Sequence, residues 1–409
     1  MQYVRITLAP DKLNGEVRLP ASKSISNRAL IIQALCEQEF PLINVSTADD
    51  TQLLRRALAS DEKVMYIKNA GTAMRFLTAY FAATEGDVVL RGSERMHERP
   101  IKPLVDALVS LGADIEYLEK PGYPPLLILG KELSGGSVKV DPSTSSQFIT
   151  ALLLIAPVLK GGLTIEVTGE IVSGPYLEMT LNMMNYFGVE YSRERNTIHV
   201  PQQKYKPKTL FIESDWSSAS YIFGLAALFP GSELSFNNLY NESWQGDLKL
   251  SGWMAQFGIH ITFEQKNCTI RSDGSYSDYF KAGMLDNPDL IPAFVTLCCV
   301  ANVPFEISGI ETLQYKESDR AEVLVNELGK LYNIRRDGNT LSGKGISGSA
   351  AQSVKLLSYD DHRMAMSWAL AASKFGNVSI ENPGAVEKSF PQFWKELERL
   401  GFVLECFDE

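Results

Sequence analysis

The chain has 409 residues, 45% of them hydrophobic and 22% charged, a composition that suits two or three globular domains and excludes a disordered chain. Its formal net charge of −10, with no long basic run, excludes a general nucleic-acid binder, whose affinity depends on clustered Lys and Arg. No stretch of roughly 18 apolar residues offers a membrane span, and the N-terminus lacks the charged-then-apolar layout of a signal peptide.

A cytoplasmic protein with no membrane contact is therefore expected, and the cysteines agree with a reducing compartment. Cys36, Cys268, Cys298, Cys299 and Cys406 show no metal spacing, and the adjacent pair makes a poor bridge. The four histidines are scattered and no glycine-rich dinucleotide fingerprint follows a strand. No metal and no cofactor are expected.

Taken in chain order, a polar, cap-like cluster runs into a small-residue-rich apolar helix at six places: SKSISNRALIIQAL from Ser22, GTAMRFLTAYFAA from Gly71, SSQFITALLLIA from Ser145, WSSASYIFGLAAL from Trp216, NPDLIPAFVTLCCVA from Asn287 and DHRMAMSWALAA from Asp361. Thr72, Ser145, Ser217, Asp289 and Asp361 are spaced 73, 72, 72 and 72 residues apart. Such regularity marks an internal repeat. Between these starts lie β-branched runs such as DVVLRGS, GSVKVDPS, LTIEVTGE and FEISGI, which read as strands. A second helical pattern recurs in IKPLVDALVSLGADIEY, PYLEMTLNMMNYFGVEY, LKLSGWMAQFGIHITF and ESDRAEVLVNELGKLY.

Each repeat thus reads as βαββαβ, with the first one short. Six repeats divide most simply into two α/β domains of three. The expected boundaries put residues 1–20 with 214–409 in one discontinuous domain, completed by a returning N-terminal strand, and 21–213 in the other. The active site is expected in the cleft between them, where small-molecule pockets form.

The helix starts carry the chemistry. An exposed first turn presents N–H groups and a positive dipole end to an anion. Lys23 and Arg28 flank serines in SKSISNR, Gly71 and Arg75 stand together in NAGTAMR, and Arg99 precedes a proline in ERP. Ser145, Ser146 and Gln147 offer hydroxyls and an amide, and Ser173 adds a hydroxyl in VSGPY. Lys316, Glu317 and Arg320 share one turn in KESDR, Arg363 closes DHR and Lys388 precedes a turn in KSFP. Each of these alone reads as an ordinary cap with solvated charges. Their recurrence at equivalent places makes them one shared anion site, whose local field overrides the acidic balance of the chain.

These motifs, with PDLIP and DHRMAM, are spread in order over nearly the whole length, and they closely resemble the 5-enolpyruvylshikimate-3-phosphate synthase family. The resemblance implies the enolpyruvyl transferase fold, two similar domains each of three repeats around a pseudo-threefold axis. It implies transfer of the enolpyruvyl group of phosphoenolpyruvate to the 5-hydroxyl of shikimate 3-phosphate. It further implies that Lys23, Ser24, Arg28, Ser145, Ser146, Gln147, Ser173, Asp289 and Lys316 hold shikimate 3-phosphate. Lys23, Asn69, Gly71, Arg99, Gln147, Arg320, Arg363 and Lys388 would contact phosphoenolpyruvate, with Thr72 shaping that pocket. Asp289 is expected to serve the hydroxyl and Glu317 to serve C3, with Lys23 and His362 stabilising and relaying charge; a monomer is expected.

Three positions depart from the family pattern: Lys68 where glycine is usual, Phe76 where proline is usual and Thr312 where asparagine is frequent. Two rival readings remain open at this point. One is the related transferase that acts on UDP-N-acetylglucosamine, which relies on a loop cysteine that SERMHERP lacks. The other is a non-catalytic anion-binding protein of the same fold, which would have no need of Asp289, Glu317, Lys23 and His362 together.

Overall fold

Buried helices apolar on all faces, rather than on one stripe, organise the structure, a computed structural model that describes residues 2–143, 145–169, 171–346 and 353–409. By its contacts the chain forms two compact units, Met1–Ala21 with Glu213–Glu409, and Ser22–Ile212. Among the described residues no helix is long and apolar enough to cross a membrane.

In the first unit, helices Trp216–Leu228, Ile291–Ala301 and His362–Trp368 are almost wholly buried. Such helices need protein on every side. The Ile291 helix packs on both of the others. Three four-stranded sheets of one design surround them. In the first, Asn14–Val17 runs parallel to Glu233–Asn237, beside which the hairpin Ile259–Glu264 and Asn267–Ser272 adds antiparallel strands. In the second, Phe280–Gly283 runs parallel to Phe305–Ser308, followed outward by Thr340–Ile346 and Tyr332–Asp337. In the third, Ser353–Leu356 runs parallel to Asn377–Glu381, and Gln2–Leu8 lies antiparallel between that strand and Val403–Asp408. The N-terminal strand therefore completes the last repeat of its unit.

In the second unit, helices Lys23–Leu35, Gly71–Ala82 and Gln147–Ile155 pack on one another. Two sheets share the same design: Val64–Tyr66 with Gly86–Arg91, Leu126–Gly130 and Asp114–Tyr117, and Ser134–Val140 with Lys160–Val167, Thr197–Val200 and Ser192–Glu194. The short repeat supplies only a parallel pair, Leu42–Ile43 with Leu210–Phe211.

The structure corrects two expectations. The order within each full repeat is βαβαββ, not βαββαβ. A parallel pair requires a crossover, which the first helix provides, and the second helix then feeds a hairpin that widens the sheet. The expected order spreads the strands in pairs between the helices, whereas one strand separates the two helices of a repeat and three consecutive strands lead to the first helix of the next. Secondly, the helix expected in LKLSGWMAQFGIHITF is only Leu250–Met254, flanked by 3-10 turns at Gly246–Lys249 and Ala255–Phe257. Ser251 and Gly252 are weak helix formers, and Gly258, at φ +67°, ends the element in the left-handed region.

Candidate active site

In the second unit, three helix starts gather the polar side chains. Ser22 caps its helix by accepting from the Ile25 N–H, and Lys23 Nζ lies 3.0 Å from Oδ2 of the buried Asp50. One turn on, Arg28 is buried and held three ways: Nε donates to Thr180 Oγ1 at 2.8 Å, Nη1 to the Ser24 carbonyl at 2.9 Å and Nη2 to the Tyr176 carbonyl at 3.1 Å. Burial lowers its pKa to about 10, so it stays a cation at neutral pH. The ring of Phe76, itself buried, stands 5.5 Å from the Arg28 guanidinium carbon, within cation–π range.

The Gly71 helix start is built around Arg99. Its Nη1 donates to Asn69 Oδ1 at 3.2 Å and to the Asn69 carbonyl at 3.3 Å. The guanidinium lies so close to Gly71 that a Cβ there would stand 2.6 Å from Nη2. Gln147 Nε2 donates to Thr72 Oγ1 at 3.2 Å, joining this start to that of the Gln147 helix, and the Gln147 N–H donates to Ser145 Oγ at 3.2 Å. Ser146 is buried at the cap, and Ser173, buried at φ +58°, precedes the helix Gly174–Tyr186. Non-glycine residues held in that region cost free energy and cluster at functional sites.

In the first unit the site is a network of ions. Arg320, fully buried, donates from Nε to Asp361 Oδ2 at 2.8 Å, from Nη1 to Asp289 Oδ1 at 3.0 Å and from Nη2 to Glu317 Oε2 at 2.7 Å. Asp289 Oδ2 accepts from Arg363 Nη2 at 2.7 Å, and Lys316 Nζ stands 3.9 Å from Oδ1. Glu317 Oε1 faces Lys388 Nζ at 3.3 Å. Buried His362 has Nδ1 3.6 Å from Asp361 Oδ1.

Burial alone would raise the proton affinity of Asp289, but Arg363, Lys316 and Arg320 outweigh it and hold the carboxyl well below the usual range. Burial likewise works against the charge of Arg320, and Asp361, Glu317 and Asp289 keep it firmly cationic. Four cations thus meet three carboxylates, leaving one positive charge in excess among these mostly buried groups, an arrangement suited to a small anion.

The geometry is matched by what is known of other chains. The profile of a family described as EPSP synthase (3-phosphoshikimate 1-carboxyvinyltransferase) matches residues 8–60 and 54–397. The chain belongs to the EPSP synthase family. It is 42% identical over 406 residues to the 3-phosphoshikimate 1-carboxyvinyltransferase of Bacteroides fragilis strain YCH46, with 98% of each chain covered. It is 35% identical to the enzyme of that name from Syntrophobacter fumaroxidans, covering 97% of this chain and 100% of the relative. A solved EPSP synthase structure from Acinetobacter baumannii superposes with a TM-score of 0.79 at 22% identity, covering 100% of both chains.

Within this family setting, the site residues named from the sequence fall into two sets. Lys23, Ser24, Arg28, Asn69, Gly71, Arg99, Ser145, Ser146, Gln147 and Ser173 belong to the second unit, and Asp289, Lys316, Glu317, Arg320, His362, Arg363 and Lys388 to the first. Arg75, grouped with these cations from the sequence, lies in the second unit as well. It is buried and donates from Nη2 to the Pro100 carbonyl at 3.0 Å and from Nη1 to the Gly71 carbonyl at 3.3 Å, so it braces the loop that presents Arg99. Three acidic residues escaped the sequence reading as functional partners: Asp50 beside Lys23, Asp361 beneath Arg320, and Asp247. Asp361 carried a signal, since it falls on the 72-residue spacing.

Proposed function

We propose that both sets of side chains act on one substrate pair, shikimate 3-phosphate and phosphoenolpyruvate, in the 3-phosphoshikimate 1-carboxyvinyltransferase reaction of the shikimate route to aromatic amino acids. The observation that carries this reading is the state of Asp289, a carboxylate clamped by Arg363, Arg320 and Lys316. A carboxylate so stabilised is a poor base. Anionic phosphoenolpyruvate competes for the same cations, and drawing Arg363 and Lys316 toward it raises the proton affinity of Asp289 only when substrate is bound. The base is thereby switched on by its own substrate.

In the addition step, the 5-hydroxyl oxygen of shikimate 3-phosphate attacks C2 of phosphoenolpyruvate and gives its proton to Asp289, while Glu317, which takes up a proton from solvent as bound phosphoenolpyruvate draws Arg320 and Lys388 away from it, delivers that proton to C3. A C–O bond and a C–H bond form as the C=C bond is lost. In the elimination step, C3 returns a proton to the enzyme, the C=C bond re-forms and the C2–O bond to phosphate breaks. Lys23, Arg99, Arg320, Arg363 and Lys388 stabilise the phosphate and carboxylate charges, and His362, buried beside Asp361, relays charge. Arg28, Ser145, Ser146, Ser173 and Gln147 orient the acceptor. A shared cleft, monomeric action and a cytoplasmic site of action complete the proposal.

Phosphate release from purified protein, run with phosphoenolpyruvate and either shikimate 3-phosphate or UDP-N-acetylglucosamine, tests the reading. Turnover is expected only with shikimate 3-phosphate. Turnover with the nucleotide sugar, or with neither acceptor, would overturn it.

A further inference from the structure

The segment Ser243 to Asp247 lies between the starts of two buried helices of the first unit, and its last residue has no part in the chemistry above. Asp247 is buried. Ser217 Oγ, in the first turn of the Trp216 helix, donates to Asp247 Oδ2, and Asn287 Nδ2 donates to Oδ1 at 3.0 Å and to the Gly246 carbonyl at 3.0 Å. Gln245 Oε1 accepts from the Trp216 N–H at 3.1 Å, so the segment is fastened to the same helix start twice. Asn287 stands two residues before Asp289. Its N–H donates to the Met284 carbonyl and its own carbonyl accepts from the Leu290 N–H, both at 3.0 Å. The turn that delivers Asp289 is therefore held at its centre by Asp247.

Among the described residues no cation forms an ion pair with Asp247. A buried carboxyl without one is costly. The charged groups that face it are Asp289, which raises its proton affinity, and Arg363, which lowers it; burial acts most strongly and lifts its pKa to about 6. Two negative charges near each other raise one another's proton affinity, and Asp289 otherwise faces Arg363, Lys316 and Arg320, which lower its proton affinity, and Glu317, which raises it.

We propose that Asp247 is a positioning residue for the transfer reaction: through Asn287 it fixes the turn that aims Asp289, and its negative charge keeps Asp289 a usable base against the surrounding cations. The inference rests on the reading of Asp289 as the base. Asp247→Asn keeps the shape and both hydrogen-bonding neighbours, with the Ser217 hydroxyl turning to accept, and removes only the charge. It is expected to move the acid limb of the kcat profile, which reports the enzyme–substrate complex, to lower pH, and to reduce kcat about tenfold with KM little changed. Asp247→Ala also releases Asn287, and misplacing Asp289 by about 1 Å is expected to cost about 100-fold in kcat. Asn287→Ala should reproduce the loss in kcat without the shift in the profile, and should add little to Asp247→Ala.

Wild-type kcat and an unmoved pH profile in both Asp247 variants, with Asp289→Asn inactive, would overturn this inference alone. Near-normal turnover of Asp289→Asn would instead overturn the base assignment beneath it. If Asp247→Ala does not fold, the isosteric Asp247→Asn variant still decides the question.

Discussion

Substituting Gly71 by alanine tests the placement of Arg99 through a single methyl group. The new Cβ would stand 2.6 Å from Arg99 Nη2 and 2.9 Å from both Cζ and Nη1. Restoring ordinary contact requires the guanidinium to retreat by roughly 0.8 Å. Its Nη1 bonds to Asn69 are already 3.2 and 3.3 Å long, so the retreat forfeits them and misaims the fork. One charge-assisted hydrogen bond is worth about 1.5–3 kcal/mol, which corresponds to about a 10- to 100-fold rise in the KM for phosphoenolpyruvate. The fold should not suffer. Gly71 has no left-handed φ, alanine suits a helix start better than glycine by about 0.4–1 kcal/mol, and the obstructing atoms end a flexible side chain. Steady-state kinetics with each substrate varied in turn, beside a thermal melt, provide the assay. Equal rises in both KM values, or none, would refute the assignment of Arg99 to phosphoenolpyruvate, and a lowered Tm would refute the claim that Arg99 can yield.

Two further predictions concern buried charge. Asp361→Ala leaves the guanidinium of Arg320 without the partner of its Nε, in a site sealed from water; breaking such a pair should cost about 3–5 kcal/mol in a denaturant titration, and a loss under about 1 kcal/mol would refute it. Glu213, buried and accepting from Ser243 Oγ and Gln245 Nε2, has its pKa raised by burial to about 7, while Ser243 and Gln245 oppose the rise. Because the folded value lies above the ordinary 4.5, this group's contribution is full below the unfolded pKa and is lost as pH rises through about 7. Glu213→Gln should therefore raise Tm at pH 8 by about 2–4 °C and leave it unchanged at pH 4; an equal effect at both values would refute the reasoning.

The helix starts were legible because capping residues, glycine and proline leave local marks, and because the 72-residue spacing repeats them. Within the first unit that spacing has a physical meaning: Asp289 and Asp361 meet on one arginine, and Ser217 reaches Asp247, which Asn287 shares. What a side chain bonds to after leaving the backbone was not legible. Arg75 sits in the same kind of motif as an anion ligand, and nothing in that motif shows that it donates to carbonyls 25 and 4 residues away. Phe76 could be marked as a departure from the family pattern, but not as the ring that covers Arg28. Asp247 lies outside the repeated positions, so neither periodicity nor motif set it apart from any other acid in a loop. The order of strands and helices was not legible either, because short apolar runs do not show how many strands the stretch between two helices holds.

The location of Gln2–Leu8 inside its sheet has a consequence for synthesis. This strand leaves the ribosome well before its neighbours, Asn377–Glu381 and Val403–Asp408, which lie at the far end of its unit in sequence. At about 5–20 residues per second, it waits on the order of 20–70 s with both edges unpaired, while residues 22–212 have all their own partners within reach much sooner. Its Tyr3, Val4 and Ile6, buried in the finished sheet, are through that interval an apolar segment in need of protection, so conditions that slow translation should expose the nascent chain to aggregation through this strand.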